Sequence, residues 1–176
     1  MNILGAARMI DMLTEWAVHE GQGRQKLPPS TLADQPGVLR AVEILLQTRS
    51  PMIGPMLTAV PVGCFKAEVT SEDLPNIRVF DGRSVDDYTA EMITNEKEDG
   101  EYVRGLASSD ASVLGPIVLV ARGTVQPTGQ ISIDGPPIVY DGCHRLAAWR
   151  THQTRGRVYP IRGYLIVTRH QGPVFR

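Results

Sequence analysis

The densest chemistry in the chain lies in Tyr140-Asp141-Gly142-Cys143-His144-Arg145-Leu146-Ala147-Ala148-Trp149. A β-rich run, Pro137 to Tyr140, leads into a glycine. A thiol, an imidazole and a guanidinium follow at once, and Leu146 to Trp149 read as the first turn of a helix. Strand, glycine turn, polar triplet and helix start form an arrangement that holds an anion. The first amides of a helix have no intrahelical acceptor and carry partial positive charge. Gly142 lets the backbone come close to a ligand, and Arg145 adds a forked, permanently charged donor. Cys143, at a helix start beside two cationic candidates, should have its thiolate favoured and is a candidate nucleophile. The alternative is a small residue filling space near a turn. His144 could act as a general acid or a phosphate donor, or bond a backbone carbonyl. Arg145 carries the anion reading most directly; its alternative is a salt bridge to Asp141 or Asp134.

Chemistry on a bound phosphate would call for a divalent cation held by carboxylates. Asp134 and Asp141 flank the motif and are candidates for Mg²⁺ binding or for a general base. Asp86, Asp87 and Glu91 fall on one predicted helix, where Asp87 and Glu91 share a face; they are a second candidate pair or a solvated acidic surface. His19, His152 and His170 lack metal-ligand spacing, and no G-x-x-x-x-G-K-[ST] run exists, which excludes a P-loop.

The length of 176 residues, with 42% hydrophobic and 21% charged side chains, suits one soluble domain with an added N-terminal piece. No apolar run approaches the ~20 residues of a membrane helix. Met1 to Trp16 is interrupted by Arg8, Asp11 and Glu15, unlike a signal peptide, so a cytoplasmic protein without membrane insertion is expected. Cys64 and Cys143 make no disulfide framework. The net charge of −1 hides an asymmetry: Gly142 to Arg176 contains no Asp or Glu but holds seven of the 18 basic residues, leaving 11 against 19 acidic ones elsewhere. Such a segment suits nucleotide or DNA partners, unless its arginines pair with the acidic half on folding.

The elements that must position these residues follow from periodicity and turn chemistry. Residues 1–20 are predicted helical, with Met9, Leu13, Trp16 and Ala17 on one face. Asp34 can cap a second helix carrying Leu39, Val42, Leu45 and Leu46, which should stop before Ser50-Pro51. Pro51 to Pro61 reads as irregular or extended. Val60 to Val69 and Ile77 to Phe80 are predicted strands, and Ser84 a cap for a helix from Val85 to about Asn95. Glu96 to Gly100 is predicted loop, with Tyr102 to Leu106 at most a short helix. Ile117 to Ala121 reads as a buried strand, and Gln126-Pro127-Thr128-Gly129 as a turn. Ile131 to Ile133 and Ile138 to Tyr140 are short strands. The motif helix should run from about His144 to Thr151 or beyond, closed by Gly156, with a last strand within Val158 to Val167. The order is αα followed by β-α-β-β-α-β: an α+β (α/β) single domain, residues 60–176, with a helical N-terminal extension, residues 1–59.

Gly142-x-x-Arg145-x-x-Ala148 resembles the G-x-x-R-x-x-A phosphate motif of the ParB/sulfiredoxin superfamily, and Gly142-Cys143-His144-Arg145 is similar to the G-C-H-R signature of sulfiredoxins. Phe80-Asp81-Gly82-Arg83-Ser84-Val85 before a helix, Gly115-Pro116-Ile117-Val118 as a strand, and the Tyr140 strand into the motif helix match that superfamily's order. The resemblance covers about residues 60–168. It implies a ParB/sulfiredoxin-like fold, with ATP or another nucleotide held by Gly142, Cys143, His144 and Arg145. Ser84, with Arg83 adjacent, stands where sulfiredoxins place a Lys that contacts ATP, and Asp141 where they carry a further Gly. Residues 1–59 have no counterpart in a minimal sulfiredoxin, and a helix-turn-helix module of the ParB partition kind is not expected.

Size and domain plan resemble the fertility-inhibition and oncogenic-suppression effectors of conjugative plasmids. That group implies ATP hydrolysis and DNA cleavage, with Mg²⁺, nucleotide, DNA and a conjugation or secretion-machinery protein as cofactor and partners. On this reading Arg145, His144, Asp141 and Cys143 are the catalytic candidates. Two alternatives stand beside it. One is sulfiredoxin-like, ATP-dependent chemistry on an oxidised cysteine through Cys143. The other is a non-enzymatic nucleotide- or DNA-binding effector, whose DNA affinity would fall steeply with salt.

Overall fold

Five apolar residues in a row, Ile117 to Ala121, cannot be buried by a strand with one wet face. They need cover on both sides. In the computed structural model, which describes residues 1–22, 35–48, 53–54, 59–109, 114–156 and 159–170, they start the central strand β4 (Ile117–Val125). Six other strands complete a mixed sheet: β1 (Asn2–Ala6), β2 (Pro61–Val69), β3 (Arg78–Val79), β5 (Ile131–Ile133), β6 (Ile138–Asp141) and β7 (Ile161–Thr168). The order is β1-β2-β7-β4-β6-β3, and β5 pairs with the far half of β4. The pairs β4–β7 and β3–β6 are parallel; the others are antiparallel.

Strand side chains alternate between faces with a period of two, and two cores result. Ile117, Leu119 and Ala121 of β4, with Leu165 and Val167 of β7, face one core. Val118 and Val120, with Tyr164 and Ile166, face the other. Helices α3 (Val85–Thr94), α4 (Glu98–Ser108) and α5 (Cys143–Thr154) cover the first face through Tyr88, Met92, Val103, Leu146 and Trp149. Helices α1 (Met9–Gln22) and α2 (Gln35–Thr48) cover the second through Met12, Trp16, Val42 and Leu45. The molecule is a mixed α+β single domain with helices on both sides of the sheet. No helix among the described residues is long and apolar enough to cross a membrane.

The N-terminal region differs most from expectation. Residues 1–20 are not one helix: Asn2 to Ala6 form β1, antiparallel to β2, and α1 begins at Met9. Local propensity yields here to the open edge of β2, which gains backbone partners. Asn2–Ala6 thus add a strand to the sheet, and α1 and α2 roof one core. Of the polar stretch expected as loop, Glu96 and Lys97 precede a helix and Glu98 to Gly100 start α4. Glu98, Asp99 and Glu101 crowd its first turn, where acid suits the helix dipole, and the apolar anchors Val103 and Ala107 come only later. The strand Arg78–Val79 is shorter than expected, and the last, Ile161–Thr168, runs one residue past its expected range. Ile53 and Gly54 are helical, and the Asp34 cap lies outside the described residues.

Candidate functional site

Strand β6 ends at buried Asp141, and the chain turns into α5 through Gly142. Gly142 has φ 86° and ψ 21°, a left-handed conformation that side chains resist. Space also demands glycine: a Cβ would lie 2.9 Å from Ile117 Cγ2 and 3.0 and 3.1 Å from Arg145 Nε and Nη2. The Gly142 carbonyl accepts the Leu146 amide at 2.8 Å. The three preceding amides of the first turn consequently have no acceptor within the helix. This is the strand–glycine–helix geometry that the sequence predicts.

Arg145 folds back beneath that turn. Its Nη2 bonds Asp141 Oδ2 one helical turn earlier, and the two side chains are only 12% and 8% exposed. Nε is enclosed and has no hydrogen-bond partner. One donor of the fork is thus committed to a carboxylate and another, beside the glycine, is unsatisfied. Of the two ion-pair alternatives for Arg145, the structure contains Asp141. Asp134 belongs elsewhere: its amide bonds the Arg122 carbonyl at 2.8 Å and its carboxylate lies 3.9 Å from Arg122 Nε.

His144 is held by three neighbours that sequence reasoning missed. Its Nε2 lies 3.5 Å from Asp99 Oδ1. The Tyr102 ring stands edge-on at 5.8 Å, and the Tyr88 ring is tilted at 6.2 Å. Asp99 and Tyr102 sit three apart on α4, a same-face spacing, hidden by the reading of that stretch as loop.

Cys143 overturns the expectation of a favoured thiolate. The residue is buried, with Sγ 3.7 Å from the Val139 carbonyl. Burial pushes the thiol up to about 12, despite a backbone hydrogen bond from Phe80 and the nearby Arg145 charge. Desolvation outweighs the helix start because the sulfur points into the core rather than toward solvent.

The Phe80 contact brings the β3–α3 loop against the same turn. Ser84 caps α3: its Oγ accepts the Asp87 amide at 3.0 Å and donates to Asp87 Oδ2 at 2.6 Å. Arg83 bonds Asp81 at 2.7 Å and Glu91, with its guanidinium 5.3 Å from the Tyr88 centroid. Burial of Asp81 opposes ionisation, but the Arg83 hydrogen bonds prevail and hold its carboxyl below the usual range. Arg83 is itself raised, chiefly by its bond to Asp81. Both predicted cofactor contacts are therefore near the motif, one used as a cap and one already ion-paired.

The carboxylates do not assemble as a cation site. Asp141 stands opposite Val118 of β4, whereas Asp134 lies beside Arg122, four residues further along. At the strand rise that separation is about 13 Å. Asp86 bonds Arg150 at 2.7 Å, Asp87 serves Ser84 and Glu91 serves Arg83. Among the described residues no three His, Cys, Asp or Glu side chains are grouped so as to hold a metal ion.

Three of the seven arginines in the acid-free segment pair with carboxylates. Arg145 pairs with Asp141, Arg150 with Asp86 and Arg162 with Glu68, while Arg155 donates to the Ala107 carbonyl. Arg157 and Arg176 lie outside the described residues. A separate cleft of about 460 Å³, between α1 and the starts of β4 and β7, is lined by none of the predicted site residues. The chain matches no protein-family model, no curated protein and no solved structure.

Proposed function

We propose that the Gly142–Arg145 turn binds phosphate and that the protein acts on a nucleotide, hydrolysing ATP or cleaving a DNA phosphodiester. The observation that carries this reading is the enclosed Arg145 guanidinium, set against a left-handed glycine at a helix start with Nε unsatisfied. A buried donor without a partner is rare in folded proteins. Here it sits among backbone amides that favour an anion. The resemblance to the ParB/sulfiredoxin superfamily supports the same ligand, and through the plasmid effectors in that group it extends to a role in limiting DNA transfer.

The residues present fit a phosphate group and suggest roles. Amides and the Arg145 fork take the charge that develops on the transferring oxygens. His144, held by Asp99, Tyr102 and Tyr88, protonates a leaving oxygen. Binding draws the Arg145 fork toward phosphate and releases Asp141 to orient a water. Asp134 and Asp141 do not fit a shared Mg²⁺ site, given their separation along β4. The thiol route loses support from the burial of Cys143.

Arg145→Ala tests the proposal. Phosphate release from ATP and nicking of DNA should both fall at least about tenfold, which corresponds to ~1.4 kcal/mol of lost transition-state binding. Unchanged rates would place the active site elsewhere. A second reading, a nucleotide-binding effector without turnover, is favoured by the pairing of Arg150, Arg162 and the α3 carboxylates. Nucleotide binding that depends on Arg145, with no product from the wild-type protein, would select it.

A further inference from the structure

We infer that β1 is a self-pairing edge through which two copies of this chain join their sheets about a two-fold axis. The two edges of the sheet are finished differently. At one edge β3 is only two residues long, and Ser84 bridges to Arg78 across it. At the other, β1 pairs with β2 alone among the described residues. All five residues of β1 are exposed, and the strand Asn2-Ile3-Leu4-Gly5-Ala6 contains neither a charge nor a proline. Ile3 is 36% and Leu4 49% exposed. Edge strands in natural proteins usually carry charges, prolines or bulges to prevent pairing; β1 has neither of the first two, and its single register shift, between Ile3 and Gly5, leaves Leu4 without a partner position in β2.

Charge along this edge selects the occupant and its direction. At the Asn2 end stand Glu68, opposite Asn2, and the turn that carries Glu72 and Asp73, where Asp73 bonds the Met1 amine. Glu68 is engaged by Arg162 and Asp73 by Met1, which leaves Glu72 as the exposed excess charge. At the Ala6 end stand Lys66, opposite Gly5, and the largely exposed Arg8, against a single acid, Asp11. One end is therefore net acidic and the other net basic. A second copy pairing antiparallel sets each basic end against an acidic end, twice over. A parallel arrangement sets like against like. With Leu4 on the axis, Asn2 of each copy faces Ala6 of its partner, and the arrangement closes as a dimer rather than growing into a fibre.

The test uses the full chain. Sedimentation equilibrium over a concentration series should show a species of twice 19.3 kDa. Leu4→Lys places two ammonium groups on the axis and should leave only monomer, with an unchanged circular dichroism spectrum because Leu4 is exposed. Leu4→Cys puts two thiols at cross-strand distance, about 5 Å between Cβ atoms. Mild oxidation should then yield a disulfide-linked dimer on a non-reducing gel, which Cys64 and Cys143, both buried, do not form in the wild type. Arg8→Glu should weaken the dimer at least threefold, and adding Glu72→Lys should restore it. A wild-type chain that is monomeric throughout the series overturns the inference, as does a dimer that survives Leu4→Lys.

Discussion

At the scale of single residues, the contest at the site is between Asp141 and a ligand for one guanidinium. Both side chains are nearly buried, and removing one partner of such a pair leaves an uncompensated charge that costs about 3–5 kcal/mol. Asp141→Asn should therefore lower thermal stability. The same substitution removes the competitor, so inorganic phosphate or ATP should bind several-fold more tightly and recover much of the lost melting temperature. A variant that loses stability but gains no anion affinity would separate Arg145 from phosphate. Cys143 offers a pH test. Its thiol is raised from 9.0 to about 12 by burial, and that of Cys64 to about 11. Between those values the unfolded chain has lost the protons that the folded chain keeps, so stability falls as pH rises. Denaturant midpoints should be flat in these groups below pH 9 and decline above it, less steeply in Cys143→Ala. A thiol reagent at pH 7.5 should leave Cys143 unmodified until the protein unfolds.

Elements were readable where local rules decide them. Ser84 caps α3 through the Asp87 amide, as a Ser before two acids suggests. The uninterrupted apolar run became the central strand, and the glycine after β6 adopts the left-handed conformation that its position implies. The start of α4 was hidden because its first turn is acidic and its apolar anchors lie beyond it. Strand β1 was hidden because nothing in Asn2–Ala6 alternates; its pairing comes from β2, some sixty residues away. One local feature had no sequence signal at all. Val60, at the entrance to β2, has φ 57°, the one non-glycine residue with positive φ among those described. A β-branched side chain there costs on the order of 1–2 kcal/mol. Val60 is exposed and loses little packing on removal. Val60→Gly should accordingly raise the urea midpoint, although the more flexible unfolded chain offsets roughly 0.5–1 kcal/mol of the gain. A lowered midpoint would mean that the Val60 side chain holds the entrance in place.

For the whole molecule, the governing fact is that the sheet has two apolar faces and each needs a layer of helices. Without α1 and α2, the side chains of Val118, Val120, Tyr140 and Ile166 would stand in water. A chain of residues 60–176 should bind a hydrophobic dye and unfold without a cooperative transition, whereas the full chain should unfold in one step. A cooperative, dye-free truncated protein would support residues 60–176 as a domain with residues 1–59 as its extension. The same scale resolves the charge asymmetry. Arginines from one stretch of sequence meet Asp86 and Glu68 from others, so part of the charge that the sequence concentrates is paired in the fold.

By itself the sequence determined the things that neighbours along the chain decide: a glycine turn at a helix start, the Ser84 cap, the central strand, and the placing of Arg145 one turn from Asp141. Only the tertiary structure decided what those residues are chemically. Burial turned the Cys143 thiol from a candidate nucleophile into a core group, and it left Arg145 with one committed and one unsatisfied donor. The physical reason is that pairing along a turn is a matter of spacing, whereas desolvation and long-range charge pairing depend on which distant segments close over a site. Those segments, β4 beneath Gly142 and α3 and α4 around His144, are set by the packing of the whole sheet.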